Sequence, residues 1–220
     1  TLQGVFVSDK HQDTLVYGKN ITVDVTGFNY KTHHLKLDEV NLADVKVKLL
    51  KYKNEDDWNF QYLVDYFDSG KPTVKDTTPS TWKISYGDLK LHNVDFTYRL
   101  MRDTDKVVRN MNYNNIHVSN IYGTFSEFDF RGDTIFAQIT NLNAKEQCGI
   151  KLKNLTTKAQ ISSTELRCDS IYLKTANSLV KGKLQFKYDQ WTDYQDFINK
   201  VYIKGNLKDS TYVSFKDIAY

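Results

Sequence analysis

The chain has only two prolines and ten glycines in 220 residues, so most of its turns fall to Asn, Asp, Ser and Lys. Two cysteines, Cys148 and Cys168, are too few to define a disulfide framework. Each shares its alternation phase with apolar neighbours, so two reduced core thiols are expected, with a cross-strand disulfide in an oxidising compartment as the rival. No apolar run approaches the ~18 residues of a membrane-spanning helix. No secretory leader opens the chain and no Met initiates it; the closing "TYVSFKDIAY" looks like a strand cut short. A mature or excised piece of a longer protein is the expectation. A net charge of +3, with no Lys/Arg block, gives no ground for expecting nucleic acid.

Chemistry-bearing patterns are equally scarce. The five histidines are His11, His33, His34, His92 and His117, and none has zincin spacing. There is no nucleophile elbow, phosphate-binding loop or dinucleotide fingerprint. Carboxylates are spread over turns and outward positions. "RGD" at Arg131–Asp133 stands between two strand patterns and reads as an ordinary turn. No catalytic, metal or cofactor site is expected, and the chain is not expected to be an enzyme.

What the chain does have is aromatics, at 14%, and hydrophobic residues, at 40%, a composition that favours strands and supports a buried core. Period-2 segments recur about every ten residues, from "ITVDV" through "DTIFAQI" to "TYVSFKDI". The fold expected is all-β: a long, curved antiparallel sheet of about fifteen strands, forming a trough about 70 Å long.

The alternation carries a repeated slip. In "LKLHNVDFTYRL" Leu89 and Leu91 are followed by Val94, Phe96 and Tyr98, one residue late. The same step occurs at Leu35, Leu37, then Val40; at Ile116, Val118, then Ile121; and at Leu166, Cys168, then Ile171. An extra residue in a strand restores the facing of the side chains and bends the strand, so each slip is read as a β-bulge that keeps one face apolar. Short turns between separate small strands are the competing account.

Two segments break the β pattern. "DDWNFQYLVDYFDSG" places Phe60, Leu63, Val64 and Phe67 at helical spacing, which predicts a short amphipathic helix at about Asp57–Phe67, capped by Asp56 or Asp57 and ended by Gly70. "DQWTDYQDFINK" (Asp189–Lys200) is a weaker helical pattern. "GKPTVKDTTPST", between Gly70 and Thr81, holds both prolines and reads as an exposed loop between an N-terminal part (1–69) and a main sheet (82–220) of a single elongated groove.

The stretches "DTLVYGKNITVDV", "LKLDEVNLADVKVKLLKYKNEDDWNFQYLVDYFD" and "WKISYGDLKLHNVDFTY" together resemble the AsmA-like superfamily, most closely its TamB-type translocation and assembly modules. Val45–Leu50, Glu55–Asp57, Trp58-Asn59 and Phe60–Phe67 match that family's strand, charged turn and helix; Ile84, Leu89, Leu91, Asn93, Phe96 and Tyr98 match its next strand, with Tyr86 in place of an aliphatic residue. The resemblance implies a taco-shaped hydrophobic groove in the periplasm of a Gram-negative bacterium. It implies an inner-membrane anchor upstream and an outer-membrane assembly barrel protein as partner through a C-terminal region absent here. The implied role is nonenzymatic: carrying phospholipid acyl chains between membranes, or assisting outer-membrane protein assembly. If the trough carries acyl chains, its expected lining includes Leu91, Phe96, Val118, Phe125, Ile139, Leu152, Phe186 and Ile203. A β-sandwich or solenoid that binds a protein or glycan through its outer face is the alternative.

Overall fold

The computed structural model describes residues 1–31, 34–68, 83–101 and 111–218. They form one open, curved sheet of ten strands whose spatial order is their chain order. The strands are β1 (Leu2–Ser8), β2 (Thr14–Asn29), β3 (His34–Lys51), β4 (Lys83–Leu100), β5 (Asn115–Arg131), β6 (Thr134–Glu146), β7 (Lys151–Ile161), β8 (Glu165–Lys174), β9 (Leu179–Lys187) and β10 (Tyr202–Leu207). The helices are short: α1 (Gln61–Asp68), α2 (Phe197–Lys200) and α3 (Phe215–Ile218), with a 3₁₀ segment at Trp191–Asp196.

The curved all-β sheet is as the sequence predicts, but it has ten strands rather than fifteen. Several separate period-2 segments join into single long strands, and the slips lie inside strands as expected of bulges; β3 and β4 each run for 18 residues. At about 4.8 Å per strand the sheet is then about 45 Å long, not 70. Nor is it wholly antiparallel: β3 and β4 run parallel. Parallel neighbours need a crossover of a dozen residues or more, and the segment 52–82, which contains α1, supplies it. Because β3 and β4 are direct neighbours, residues 1–51 and 83 onward belong to the same sheet. The Pro/Thr-rich loop expected at Gly70–Thr81 lies outside the described residues, as do His33 and the helix-ending role of Gly70.

The slips are bulges. Asn93, Asn120 and Ser170, at three of the four predicted positions, have φ of 57°, 53° and 53° in the middle of their strands. The fourth is a register shift in β3 around Asp38, where Val25 pairs Leu37 and Asp24 pairs Glu39. Asp44, Glu127 and Asn141 adopt the same left-handed conformation, with φ of 54°, 53° and 52°. This conformation suits Asn and Asp better than other side-chain-bearing residues.

The bulges line up. Gly4 (φ 64°) on β1 lies opposite the Lys19 region of β2; Lys19 is level with Asp44, and Asp44 with Asn93 on the parallel strand. Asn120 follows on β5, Asn141 on β6, a register shift near Asn154 on β7, and Ser170 on β8. Polar side chains tie this crease together: Asn93 Nδ2 donates to Asp44 Oδ1 (2.6 Å), and Asn154 Nδ2 to Asn141 Oδ1 (3.0 Å). The residues just past the bend, Val45, Val94 and Ile171, are among the most buried in the chain.

α1 starts later than predicted, at Gln61, because Asn59 is engaged elsewhere. Its Oδ1 accepts the Leu50 N–H (2.9 Å), and its Nδ2 donates to the Lys48 carbonyl (3.0 Å) and Asp9 Oδ2 (3.3 Å). Asp9, in the β1–β2 turn, also accepts the Tyr52 hydroxyl (2.7 Å) and the His11 and Asp13 N–H groups. The entry to the helix is thus fastened to three segments of sheet and turn. Asp56 and Asp57 do not cap it. The second helical pattern resolves into the 3₁₀ segment and the single turn of α2.

Candidate functional site: the inner face of the sheet

Side chains directly opposite in a sheet share a face, so the pairing register shows which residues share the inner face. Val16–Val47, Ile21–Leu42 and Val23–Val40 pair between β2 and β3; Val40–Leu89, Leu42–Leu91, Val45–Val94 and Val47–Phe96 pair between β3 and β4. The rows continue through Leu89–Phe125–Ile139 and through Leu142–Leu155–Leu173–Val180. A third row, Phe130–Ile135–Ile161–Leu166–Phe186–Ile203, runs from β5 to β10. Thus one apolar face spans all ten strands, since Leu2, Val5 and Val7 of β1 pair with Ile21, Gly18 and Val16.

The eight residues expected to line a trough all fall on this face. Phe96 pairs with Val118, Phe125 with Ile139, and Phe186 with Ile203. Leu91 lies opposite Gly123, and Leu152 opposite Ala144. They do not form one cluster; they are distributed over several rows and six strands. Phe186 is not an open wall residue: its ring centroid lies 6.3 Å from that of Phe197, which lies on the segment crossing this part of the face. Tyr194 and Tyr188 pack in the same place, 4.9 Å apart, and burial pushes the Tyr194 hydroxyl up to about 12. Tyr188 donates its hydroxyl to the Ser162 carbonyl (2.9 Å), which fixes this aromatic cover to the sheet.

Elsewhere no second layer of sheet covers the face among the described residues. Its members are mostly half-buried, and several are exposed: Phe28 by 66%, Phe130 by 55%, Val25 by 50% and Ile203 by 47%. A cavity of about 310 Å³ opens on this face, lined by Leu37, Val40, Gly87, Asp88, Leu89, Phe128 and Phe130. Phe128 and Phe130 stack nearly parallel, 6.5 Å apart. They face inward because the Glu127 bulge shifts the phase after Phe125. Sequence reasoning passed over this slip, although "FSEFDF" has the same two-residue polar step as the others. It also passed over the walls built by β1–β3, whose alternation is as regular as that of later strands.

Other polar clusters serve as fastenings. Glu146, 6% exposed, accepts the His117 N–H (3.2 Å) and the Cys148 N–H (2.6 Å), closing the β6–β7 turn. Asp217 accepts the Ser178 hydroxyl (2.6 Å), the Thr175 hydroxyl and the Asn177 amide (2.9 Å), strapping α3 onto the β8–β9 turn. "RGD" is a two-residue hairpin loop, Arg131 pairing with Thr134 and Gly132 at φ 61°. Asp133 is held by Ser163. No group of three potential metal ligands occurs among the described residues.

Cys148 and Cys168 are free thiols. Cys148 lies in the turn before β7, whereas Cys168 pairs with Ala159, eight residues along that strand. At about 3.3 Å per residue that is about 25 Å, far beyond the 4.4–6.8 Å a disulfide spans, so the cross-strand bridge is ruled out.

Comparison with protein-family models, with curated proteins and with solved structures finds no match.

Proposed function

We propose that this chain is a nonenzymatic section of a lipid-carrying trough. The observation that carries the reading is the continuous apolar face across ten strands, half-buried by its own curvature and covered by short helical segments rather than by a second sheet. Large uncovered apolar surfaces are rare in soluble domains without a purpose. A surface built from repeated, chemically equivalent rows suits a chain of methylenes: each contributes about 0.8 kcal/mol when buried and exchanges one contact for a like one as it slides. With the resemblance to AsmA-like, TamB-type proteins, this reading places the chain in the periplasm. It would form part of a groove between an upstream inner-membrane anchor and an outer-membrane assembly partner, and would move phospholipid or assist outer-membrane protein assembly. The sandwich alternative loses its main support, because the described strands form a single sheet.

The test is site-specific photo-crosslinking with mass spectrometry of the captured molecules. Probes at Phe125 and Ile139, paired on the inner face, are expected to capture phospholipid; probes at Ser126 and Gln138, their outward neighbours, are not. Equal capture at both pairs, or none at the inner pair while lipid co-purifies, would overturn the proposal.

A further inference from the structure

The outer face of the same sheet carries a charge pattern that the linear sequence hides. β7–β10 contain nine Lys and Arg but only two carboxylates, Glu165 and Asp169, whereas the whole chain has a net charge of +3. All nine cations alternate with the apolar inner rows and therefore share the outer face: Lys158 is level with Asp169, Arg167 with Gln185, Gln185 with Lys204, and Tyr172 with Lys181. Asp169 is already shared between Arg167 (3.0 Å) and Lys183 (3.4 Å). Lys181, Lys204 and Lys208 make no ion pair among the described residues. Lys181 lies over the Tyr172 ring at 5.6 Å, and an open depression beside it is lined by Ser170, Lys183, Asn206 and Lys208, with no carboxylate. The outer face of β2–β4 is different: its charges are mixed, and they pair, as Lys90 does with Glu39 (2.5 Å) and Lys19 with Asp44 (3.7 Å).

We propose that the outer face of β7–β10 docks on an anionic lipid bilayer surface. Three features of the patch select this occupant. Its cations are lysines with one arginine, mobile point charges rather than the planar forks that read single carboxylates or phosphates. It has no apolar centre ringed by polar residues, and protein interfaces are depleted in lysine. Of the two tyrosines on this face, Tyr172 is covered by Lys181 and Tyr202 stands alone on the edge strand, so no row of aromatic rings is free to stack on bases as in single-stranded nucleic acid binding. A plane of many equivalent anions matches a plane of many equivalent cations, each contributing about tenfold or less to membrane affinity. The inference does not rest on the lipid-trough reading, since it concerns the opposite face of the sheet.

The test is co-sedimentation of the intact chain with vesicles of phosphatidylcholine alone and of phosphatidylcholine with one-third phosphatidylglycerol. Binding is expected only to the anionic vesicles, falling steeply with salt as surface charges are screened. The triple variant Lys181→Glu, Lys204→Glu, Lys208→Glu is expected to lose it on the order of a hundredfold. Lys31→Glu, Lys36→Glu, Lys46→Glu, with the same net charge but altered at the other end of the sheet, is expected to keep most of it. Absence of salt-sensitive binding by the unmodified chain would overturn the proposal without recourse to any variant. So would equal loss in both triple variants, or tighter binding to a polyglutamate peptide or a DNA oligonucleotide than to the anionic vesicles. Lipid capture by the inner-face probes is expected to be unaffected by the outer-face variants, so the failure of one proposal is distinguishable from the failure of the other.

Discussion

Asp44 and Asn93 sit level on the parallel strands β3 and β4, both in the left-handed conformation, with Asn93 Nδ2 2.6 Å from Asp44 Oδ1. From His34–Lys83 to Lys51–Leu100 the two strands keep one constant offset, because their bulges fall at the same level and cancel. The hydrogen bond from Asn93 is the leading reason that the Asp44 carboxyl lies below the usual range.

Deleting Asn93 turns Val94, Phe96 and Tyr98 to the outer face and uncouples β4 from its partner, so severe destabilisation is expected. Asn93→Gly, which accepts positive φ freely, is expected to be tolerated. Asn93→Val forces a β-branched residue into the left-handed region and should cost about 1–3 kcal/mol. Urea unfolding followed by circular dichroism orders the series; equal stability of the deletion and Asn93→Gly would refute the bulge.

Asp9 predicts acid sensitivity. Burial by itself raises its pKa, but hydrogen bonds from Tyr52, the Asp13 N–H, Asn59 and the His11 N–H outweigh it and hold the carboxyl below 3.8. A carboxylate lowered in the folded state contributes stability fully above the unfolded value. That contribution fades as pH falls below about 4, toward and through the folded pKa. Asp9→Asn should flatten the stability profile in this range, and Asp9→Ala should cost about 1–3 kcal/mol at neutral pH by leaving buried donors unmet. Thermal melts between pH 2 and 7 would check both.

Gly182 tests how β10 is held. A Cβ there would lie 2.2 Å from the Asn206 carbonyl oxygen, and its φ is 131°. Gly182→Ala is expected to push β10 off β9, at about 1–3 kcal/mol. Faster amide exchange confined to residues 202–207 is the diagnostic result; unchanged exchange there would mean the strand is held independently of this close approach.

Thiol labelling follows from burial. Cys168 packs with Ile171 and Val180, and burial is the main cause of its raised pKa; Cys148 is only half-buried. Under native conditions iodoacetamide should modify Cys148 first and reach Cys168 only on unfolding. Mild oxidation should form no bond within the chain. Simultaneous labelling of both would show that the core of β7–β9 opens readily.

The curved sheet and its one apolar face were legible in the alternation, because a period of two assigns every side chain to a face. Three of four slips coincide with left-handed residues, since the two-residue polar step betrays an added residue. The parallel pairing of β3 and β4 was not legible: antiparallel and parallel strands buried on one face alternate alike, and only the length of segment 52–82 hinted at a crossover. The cavity under Phe128 and Phe130 was missed with the slip at Glu127. The cationic face was invisible for a related reason. Its lysines are two or more residues apart along the chain and come together only when four strands are placed side by side.

The crease has a consequence for how such a structure scales. Every strand from β3 to β6 carries its own bending residue within a few residues of its neighbour's, so the cross-sectional profile is written locally, strand by strand. Length is a separate variable, set by how many strands are laid down. A duplicated hairpin that keeps its Asn or Asp at the bend would extend the channel by about 10 Å without altering its bore. Width and reach can therefore drift independently, one by point substitution and the other by duplication.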